Sequence, residues 1–168
     1  MDEVHFQQHG SRCRMWIPPE EKNPVLKHHP TRKSVGYFGA VRLRDGKMLW
    51  KREDDRFNAQ STWDFLKTIE AFSRKSGRKA VVIADNARYY HAKLHQDWRK
   101  KVKKRMVLDF LPPYSPDLNP IERVWKLIRR LRVHNQYFPA LESVREAVED
   151  QMQQWNRPNK TLQKRCAI

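Results

Sequence analysis

The sequence lacks the features that mark several classes of protein. No apolar run is long enough to span a membrane and no helix pattern has a clean basic face, so membrane attachment is not expected. The start, Met-Asp-Glu, lacks the basic and apolar segments of a secretory signal. Cysteine occurs only at Cys13 and Cys166, too few for a disulfide framework. No Gly/Ser-rich stretch divides the 168 residues, which predicts one domain with a modest core.

Acidic residues are also few relative to basic ones. Nineteen Asp and Glu face thirty-five Lys and Arg, a formal net charge of +16. Such an excess repels itself unless a polyanion is close, so the predicted partner is nucleic acid. The chain has 39% hydrophobic residues, with six Trp, seven Phe and five Tyr, which indicates a globular fold.

The first half of the chain predicts an antiparallel hairpin followed by a helix. An opening strand begins at Asp2, and residues 18–33 read as a Pro-, Lys- and His-rich connector. Residues 35–44 and 47–52 read as strands around Asp45-Gly46, a dipeptide typical of two-residue hairpin turns. Apolar residues at helical spacing from 63 to 72 then predict a helix, capped by Asn58 or Ser61.

The second half alternates buried strands with helices. Residues 79–84 and 106–111 are short apolar runs, and the first suits a strand buried on both faces of a sheet. A basic amphipathic helix through residues 94–102 lies between them. Asn119-Pro120 predicts a helix start, and residues 141–152 predict one more helix. This order predicts an α/β fold, a mixed sheet with helices on its faces.

Active sites of such sheets lie at the ends of the strands. Three acidic residues occupy such positions: Asp2, Asp85 and Glu122. Each has a structural alternative. Asp85 and its neighbour Asn86 are typical of a turn after a strand. Glu122 occupies the capping-box position three residues after Asn119, where an acid also favours the helix dipole. Asp2 reads by itself as an exposed residue at a frayed terminus.

Three longer strings favour a functional interpretation. Residues 2–6 are Asp-Glu-Val-His-Phe, and residues 84–91 are Ala-Asp-Asn-Ala-Arg-Tyr-Tyr-His. Residues 111–122 are Leu-Pro-Pro-Tyr-Ser-Pro-Asp-Leu-Asn-Pro-Ile-Glu, the most specific of the three. With these strings in this order the chain resembles the DDE transposases of the mariner superfamily, in particular the bacterial insertion-sequence branch, over roughly residues 2–150.

The resemblance implies a ribonuclease-H-like mixed β-sheet with helices on both faces. It also implies that Asp2, Asp85 and Glu122 are catalytic and hold two Mg²⁺ or Mn²⁺ ions, with Asp2 and Asp85 bridging or flanking the pair. Oxygen ligands are what hard divalent ions prefer, so the residue types agree. The implied reaction is cleavage of double-stranded DNA at element ends and joining of 3′-hydroxyls to a target by two-metal phosphoryl transfer. The expected state is a homodimer, in the bacterial cytoplasm at the nucleoid.

Basic residues near these strings are candidates for nucleic-acid binding. They are Arg88, His91, Arg99, Lys100, Lys101, Arg123, Lys126, Arg129 and Arg130. A solvated helix face in a basic protein has the same pattern, and Glu122 with Lys126 also fits a simple i,i+4 pair. His5, His9 and Cys13 repeat every four residues, but a strand there places positions four apart about 13 Å from one another, which disfavours a soft-metal site.

The chain departs from the resembled family in three respects: the N-terminal region, a first strand that is mostly missing before Asp2, and a slightly longer interval between Asp85 and Glu122. Family members carry an N-terminal helix-turn-helix region, whereas this sequence begins at the first acidic string, so residues 1–168 are expected to form the catalytic domain alone. Two other functions stay open. One is a DNA-binding remnant without catalysis, and the other is a structure-specific nuclease that cuts branched DNA without strand transfer.

Overall fold

The computed structural model describes residues 1–14, 16–20, 25, 27, 30–113 and 115–167. Its strands are β1 (Asp2–Gln7), β2 (Ser34–Arg42), β3 (Lys47–Glu53), β4 (Ala80–Ala84) and β5 (Met106–Phe110). Its α-helices are α1 (Ala59–Ser76), α2 (Gln96–Val102), α3 (Pro120–Ile128), α4 (Leu141–Gln154) and α5 (Lys160–Cys166). Short helical turns cover Arg88–His91, Lys93–His95, Pro116–Leu118 and Arg129–Val133.

The first three strands form an antiparallel sheet in the order β1-β2-β3. The predicted hairpin is confirmed, but its two-residue turn is wrong. Arg42 pairs with Lys47, so four residues separate the strands, and Gly46 takes the positive φ of 70°. The Asp45 carboxylate explains the longer turn, because it accepts hydrogen bonds from the Arg42 guanidinium at 2.7 Å and the Lys47 amide at 3.2 Å.

The last two strands form a parallel pair, β4 and β5, at the edge of β1. This pair is linked to β1 through the Met1 ammonium, which donates to the Ile83 carbonyl oxygen at 2.7 Å. The strands therefore follow one another as β3, β2, β1, β4 and β5. The predicted mixed arrangement is confirmed, although the hydrogen-bonded ladders fall into two groups.

Two apolar cores cover the two faces of these strands. Alternate side chains of β2 point to opposite faces, so Tyr37 enters one core and Phe38 the other, and both are fully buried. Tyr37 packs in the core with α3, α4 and α5, and Phe38 packs in the core with α1 and β4. Helices on both faces are thus confirmed.

Several local predictions need correction. β4 is not buried on both faces, because the Val81 side chain is 62% exposed and lines an open groove. Leu94 lies outside the basic helix in a short turn and is half exposed, since α2 begins only at Gln96. α5 was not predicted, because a seven-residue helix has too few turns for the spacing of its apolar residues to reveal it.

Helix α1 confirms the predicted cap, whereas α3 does not. The Asn58 side chain accepts from the Gln60 and Ser61 amides in a capping box. Asn119 precedes Pro120 as predicted, yet it makes no side-chain cap, and its Nδ2 lies 3.5 Å from the Met1 carbonyl oxygen instead. Among the described helices, none is both long and apolar enough to cross a membrane.

Candidate active site

Asp2 lies in β1 on the face that meets α3. Its Oδ2 accepts a hydrogen bond from the Trp125 Nε1 at 3.2 Å. Gly39 of β2 stands opposite Asp2, and a Cβ there would overlap the Trp125 ring. The missing side chain at Gly39 therefore lets the indole reach Asp2. In the sequence, Trp125 falls at an apolar position of the helix that follows Pro120, and nothing in its spacing indicates a polar role.

Glu3 has a different partner, on the segment that follows β4. The Tyr90 hydroxyl donates to its Oε2 at 2.9 Å. Tyr90 is fully buried in the short turn Arg88–His91, just after Asp85. This bond holds the second acidic string against the first. The predicted motifs contained both residues, but only the fold shows that they are partners.

Asp85 follows β4 directly and begins the next turn. Its Oδ1 accepts a hydrogen bond from the Ala87 amide at 3.1 Å. This contact confirms the turn interpretation of Asp85. It uses one carboxylate oxygen, and a turn role and a ligand role are compatible because a carboxylate has two oxygens with several lone pairs.

Glu122 lies in the first turn of α3, with its side chain 36% exposed. The capping-box interpretation is wrong, because Asn119 makes no side-chain cap. The i,i+4 pair with Lys126 is present, at 3.9 Å between Nζ and Oε2. Lys126 is 70% exposed, so such a pair contributes only about 0–1 kcal/mol.

The acids are close enough to affect one another's protonation. Burial raises the pKa of Asp2 to about 6, and the negative charges of Asp85 and Glu122 add to that rise. Burial also raises the pKa of Glu3 to about 7, with added repulsion from Asp2 and Asp85. Like charges raise carboxyl pKa values in this way only at short range. Asp2 therefore lies within electrostatic range of both Asp85 and Glu122.

Carboxylate oxygens dominate this cluster, which is the chemistry that Mg²⁺ and Mn²⁺ prefer. Within the described ranges, no three His, Cys, Asp or Glu side chains are already grouped as metal ligands. The fit therefore rests on the donor types and on their mutual repulsion, which a divalent cation would relieve. The disfavoured set of His5, His9 and Cys13 is split, since Cys13 lies beside Asn135 in a loop.

A groove of about 490 Å³ opens on the acids. Asp2 and Glu122 line it together with Lys126 and Arg129. The Arg129 guanidinium lies 5.5 Å from the centre of the Phe6 ring. Burial lowers the pKa of Arg129, whereas the charges of Glu122 and Asp2 oppose that change. Two basic side chains therefore flank Asp2 and Glu122 in this groove.

The other predicted basic residues are dispersed. On α2, Lys100 pairs with Asp97 at 2.9 Å, Lys101 is exposed and Arg99 is half-buried. Arg88 and Arg130 are exposed, and the His91 ring stacks on Phe110 at 4.2 Å. Arg123 differs from the rest, because its guanidinium donates to the carbonyls of Arg165 and Ala167, both at 3.0 Å. That contact joins α3 to the end of α5.

Comparison with known proteins decides the family. The family model described as DDE superfamily endonuclease matches residues 1–145 of this chain. The chain belongs to this family. The match covers all three acidic strings, so the resemblance seen in those strings is confirmed at the level of the DDE family, while the bacterial insertion-sequence branch stays a prediction.

Two curated relatives are each matched in part by this member of the DDE family. An uncharacterized protein, y4pE/y4sA of Sinorhizobium fredii (strain NBRC 101917 / NGR234), is 37% identical over 68 residues, which cover 40% of this chain and 47% of the relative. The transposable element Tc3 transposase of Caenorhabditis elegans is 35% identical over 88 residues, 52% of this chain and 25% of the relative. The matches thus cover less than half of either relative.

A solved structure shares the fold. The Mos1 strand transfer complex superposes with a TM-score of 0.67 at 17% identity, covering 98% of this chain and 49% of the Mos1 chain. The likeness confirms the ribonuclease-H-like fold for this member of the DDE family.

Proposed function

We propose that this chain is the catalytic domain of a DNA transposase, which cleaves the DNA backbone at element ends and joins the 3′-hydroxyls to a target. The observation that carries the proposal is that Asp2 of β1 lies within electrostatic range of two other acids, Asp85 at the end of β4 and Glu122 at the start of α3. Membership of the DDE endonuclease family supports it. So does the partial match to the Tc3 transposase.

The proposed cofactor is a pair of Mg²⁺ or Mn²⁺ ions, held by Asp2, Asp85 and Glu122. Bound divalent ions supply an activated attacking oxygen and stabilise the departing one. A solved complex of Mos1, a protein with the same fold, contains Mn. The chemistry of the three carboxylates in this chain fits such ions independently of that neighbour.

The side chains around the acids take positioning roles in this proposal. Trp125 orients Asp2 through its Nε1 hydrogen bond, and such a partner of a metal ligand typically contributes about 10- to 100-fold to metal affinity or activity. Tyr90 holds Glu3, the neighbour of Asp2 in β1. Lys126 and Arg129 line the same groove as Asp2 and Glu122, where they would neutralise the phosphates that flank the scissile bond.

The proposed partner is double-stranded DNA, both as element ends and as target. The net charge of +16 supports a polyanionic partner. A homodimer is proposed for the active state, since two element ends must be brought together. The chain covers about half of the Mos1 chain, so end recognition by a further region is also part of this proposal.

A nicking assay tests the proposal. A supercoiled plasmid carrying the genomic DNA that flanks the coding sequence is incubated with the protein and Mn²⁺. Asp85→Asn and Glu122→Gln should each lose more than about 100-fold in nicking rate, since each removes a ligand and not only its support. Glu142→Gln is the matched control, because this acid is exposed on α4.

The pattern of products separates the alternatives. Equal nicking by all variants would exclude this site as the source of activity. Binding of DNA without nicking by any of them would favour the non-catalytic remnant. Preferential cutting of branched DNA without joined products would favour a structure-specific nuclease.

A further inference from the structure

A stack of two rings lies at the end of β5. The centres of the His91 and Phe110 rings are 4.2 Å apart, and the angle between the rings is 23°, so the rings are nearly parallel. Phe110 is half-buried and packs against the core that contains α1, whereas His91 is exposed. Phe110 therefore covers one face of the imidazole, and the exposure of His91 leaves the opposite face open to solvent.

The strand ladder places the base of this stack next to Asp85. Phe110 pairs with Ala84 in the parallel β4–β5 ladder, and Asp85 follows Ala84 directly. The Leu111 amide donates to the Ala84 carbonyl oxygen at 2.9 Å, so the two strands stay paired up to this point. Neighbouring strands lie about 5 Å apart, which puts the Phe110 backbone one strand away from the proposed metal ligand.

The upper ring of the stack is held through its neighbour in the chain. His91 follows Tyr90, whose hydroxyl donates to the Glu3 carboxylate at 2.9 Å. On the other side, the Gln96 side chain donates to the His91 carbonyl oxygen at 3.2 Å. These contacts fix the backbone of His91 with respect to β1, the strand that carries Asp2 and Glu3.

An arginine accompanies the open ring face. Arg88 and His91 are the first and last residues of one 3₁₀ turn, and both are exposed. Side chains three residues apart in a 3₁₀ turn lie on the same side of it. A guanidinium beside an open ring face offers the two contacts that a nucleotide needs, one for the phosphate and one for the base.

The open face of His91 suits only a base that has left the duplex. Inside a DNA duplex, neighbouring base pairs cover both faces of each base, so a protein ring stacks on bases at ends or on unpaired nucleotides. The alternative is that His91 only covers Phe110. That packing role makes no use of the outer face, and it predicts that His91 has no effect on DNA binding.

We infer that the His91 ring, backed by Phe110, stacks on an unpaired nucleobase of the DNA near the cleavage position, while Arg88 contacts a phosphate of the same strand. The inference rests on the DNA-binding part of the proposed function. His91 acts here through its ring face and not as a cation. Every base has an aromatic face, so this contact selects unpaired over paired DNA and not one sequence over another.

A fluorescent DNA duplex tests the inference. The duplex ends in a single-stranded overhang of about three nucleotides, and its middle base is 2-aminopurine, whose emission is quenched by stacking. One probe has the overhang at the 3′ end and another at the 5′ end, and a blunt duplex is the reference. Binding is measured in EDTA, so it does not depend on catalysis. The wild-type protein should bind one overhang probe at least about fivefold more tightly than the blunt duplex, with quenching.

Four variants separate stacking from charge. His91→Ala should lose the preference for the overhang, whereas His91→Phe should keep it, because a phenyl ring retains the stacking face without the ring nitrogens. Arg88→Ala should weaken binding of all the probes and reduce the salt slope by about 1. Tyr137→Ala is the matched control, since it removes a 46% exposed aromatic ring outside this region, and it should change neither affinity nor quenching.

Three results would overturn the inference. The first is equal affinity of the wild-type protein for the blunt duplex and both overhang probes. The second is an unchanged preference in His91→Ala, which would leave His91 with the packing role alone. The third is an equal loss in His91→Ala and His91→Phe, which would mean that the imidazole nitrogens act and not the ring face.

Failure of this inference is distinguishable from failure of the proposed catalysis. A preserved overhang preference in a protein that does not nick DNA would count against the catalytic proposal alone. Nicking that depends on Asp85 and Glu122, without any overhang preference, would count against base stacking alone.

Discussion

The Trp125 Nε1 donates a 3.2 Å hydrogen bond to the Asp2 Oδ2, and this bond joins two separate parts of the candidate active site. Trp125 lies on α3, one turn after Glu122, and Asp2 lies at the start of β1. The bond fixes one Asp2 oxygen with respect to the helix that carries Glu122. The aromatic ring also fills the space over Gly39, so packing and polar positioning depend on the same side chain.

Trp125→Phe should reduce metal-dependent nicking by about tenfold, because it removes the donor to Asp2 and keeps most of the ring volume. The loss in the free energy of unfolding should be about 1–2 kcal/mol, measured by urea titration. Trp50→Phe is the control, since the Trp50 Nε1 has no hydrogen-bond partner in the described part of the chain. Equal nicking by both variants would argue against a positioning role for the indole.

Gly39→Ala should impair the site more than its small size suggests. The new methyl group would meet the Trp125 ring, which must shift and thereby lose its contact with Asp2. We expect a stability loss of about 1–3 kcal/mol, together with reduced nicking. Gly77→Ala is the control. It sits at the left-handed cap of α1 with φ 63° and open space around it, so it should cost about 1 kcal/mol and leave nicking unchanged.

Without divalent ions, stability should fall as pH rises from about 4.5 to 6. The folded pKa values of Asp2 and Glu3, about 6 and about 7, exceed those of ordinary carboxyl groups. The folded state therefore binds more protons than the unfolded state over this window, and each group contributes a negative slope of up to about 1.4 kcal/mol per pH unit. The Met1 ammonium, with a pKa lowered to about 6 by burial, contributes mainly above this window.

Glu3→Gln removes the contribution of Glu3 to the pH dependence of stability. The variant should show a shallower fall in unfolding free energy than the wild type between pH 4.5 and 6, in urea titrations with EDTA. Glu142→Gln, an exposed acid on α4, should keep the wild-type slope. An unchanged slope in Glu3→Gln would mean that Glu3 does not take up a proton on folding.

Arg123 and Lys126 should differ in their effects on DNA binding. Lys126→Ala should reduce the slope of log affinity against log salt by about 1, because this exposed lysine lines the groove in which we propose that phosphates bind. Arg123→Ala should leave that slope nearly unchanged but lower stability by about 1–3 kcal/mol, because it removes the donor to two carbonyls at the end of α5. Anisotropy titrations from 50 to 200 mM salt, with urea unfolding, distinguish the two roles.

Local chemistry made much of the fold predictable from sequence. The hairpin at Gly46, the cap at Asn58 and the helix start at Pro120 are set by residues that favour those backbone conformations. The turn length was wrong because the Asp45 side chain bonds across the loop. The capping box at Glu122 was wrong because Asn119 turns towards Met1, a residue far away in the chain.

The sequence by itself determined the three acidic strings, the basic character and the alternation of strands and helices, because each depends on residue type or on short-range spacing. Only the tertiary structure decided which groups meet: Trp125 with Asp2, Tyr90 with Glu3, and Arg123 with the end of α5. Such contacts join positions many residues apart, and no local pattern encodes them.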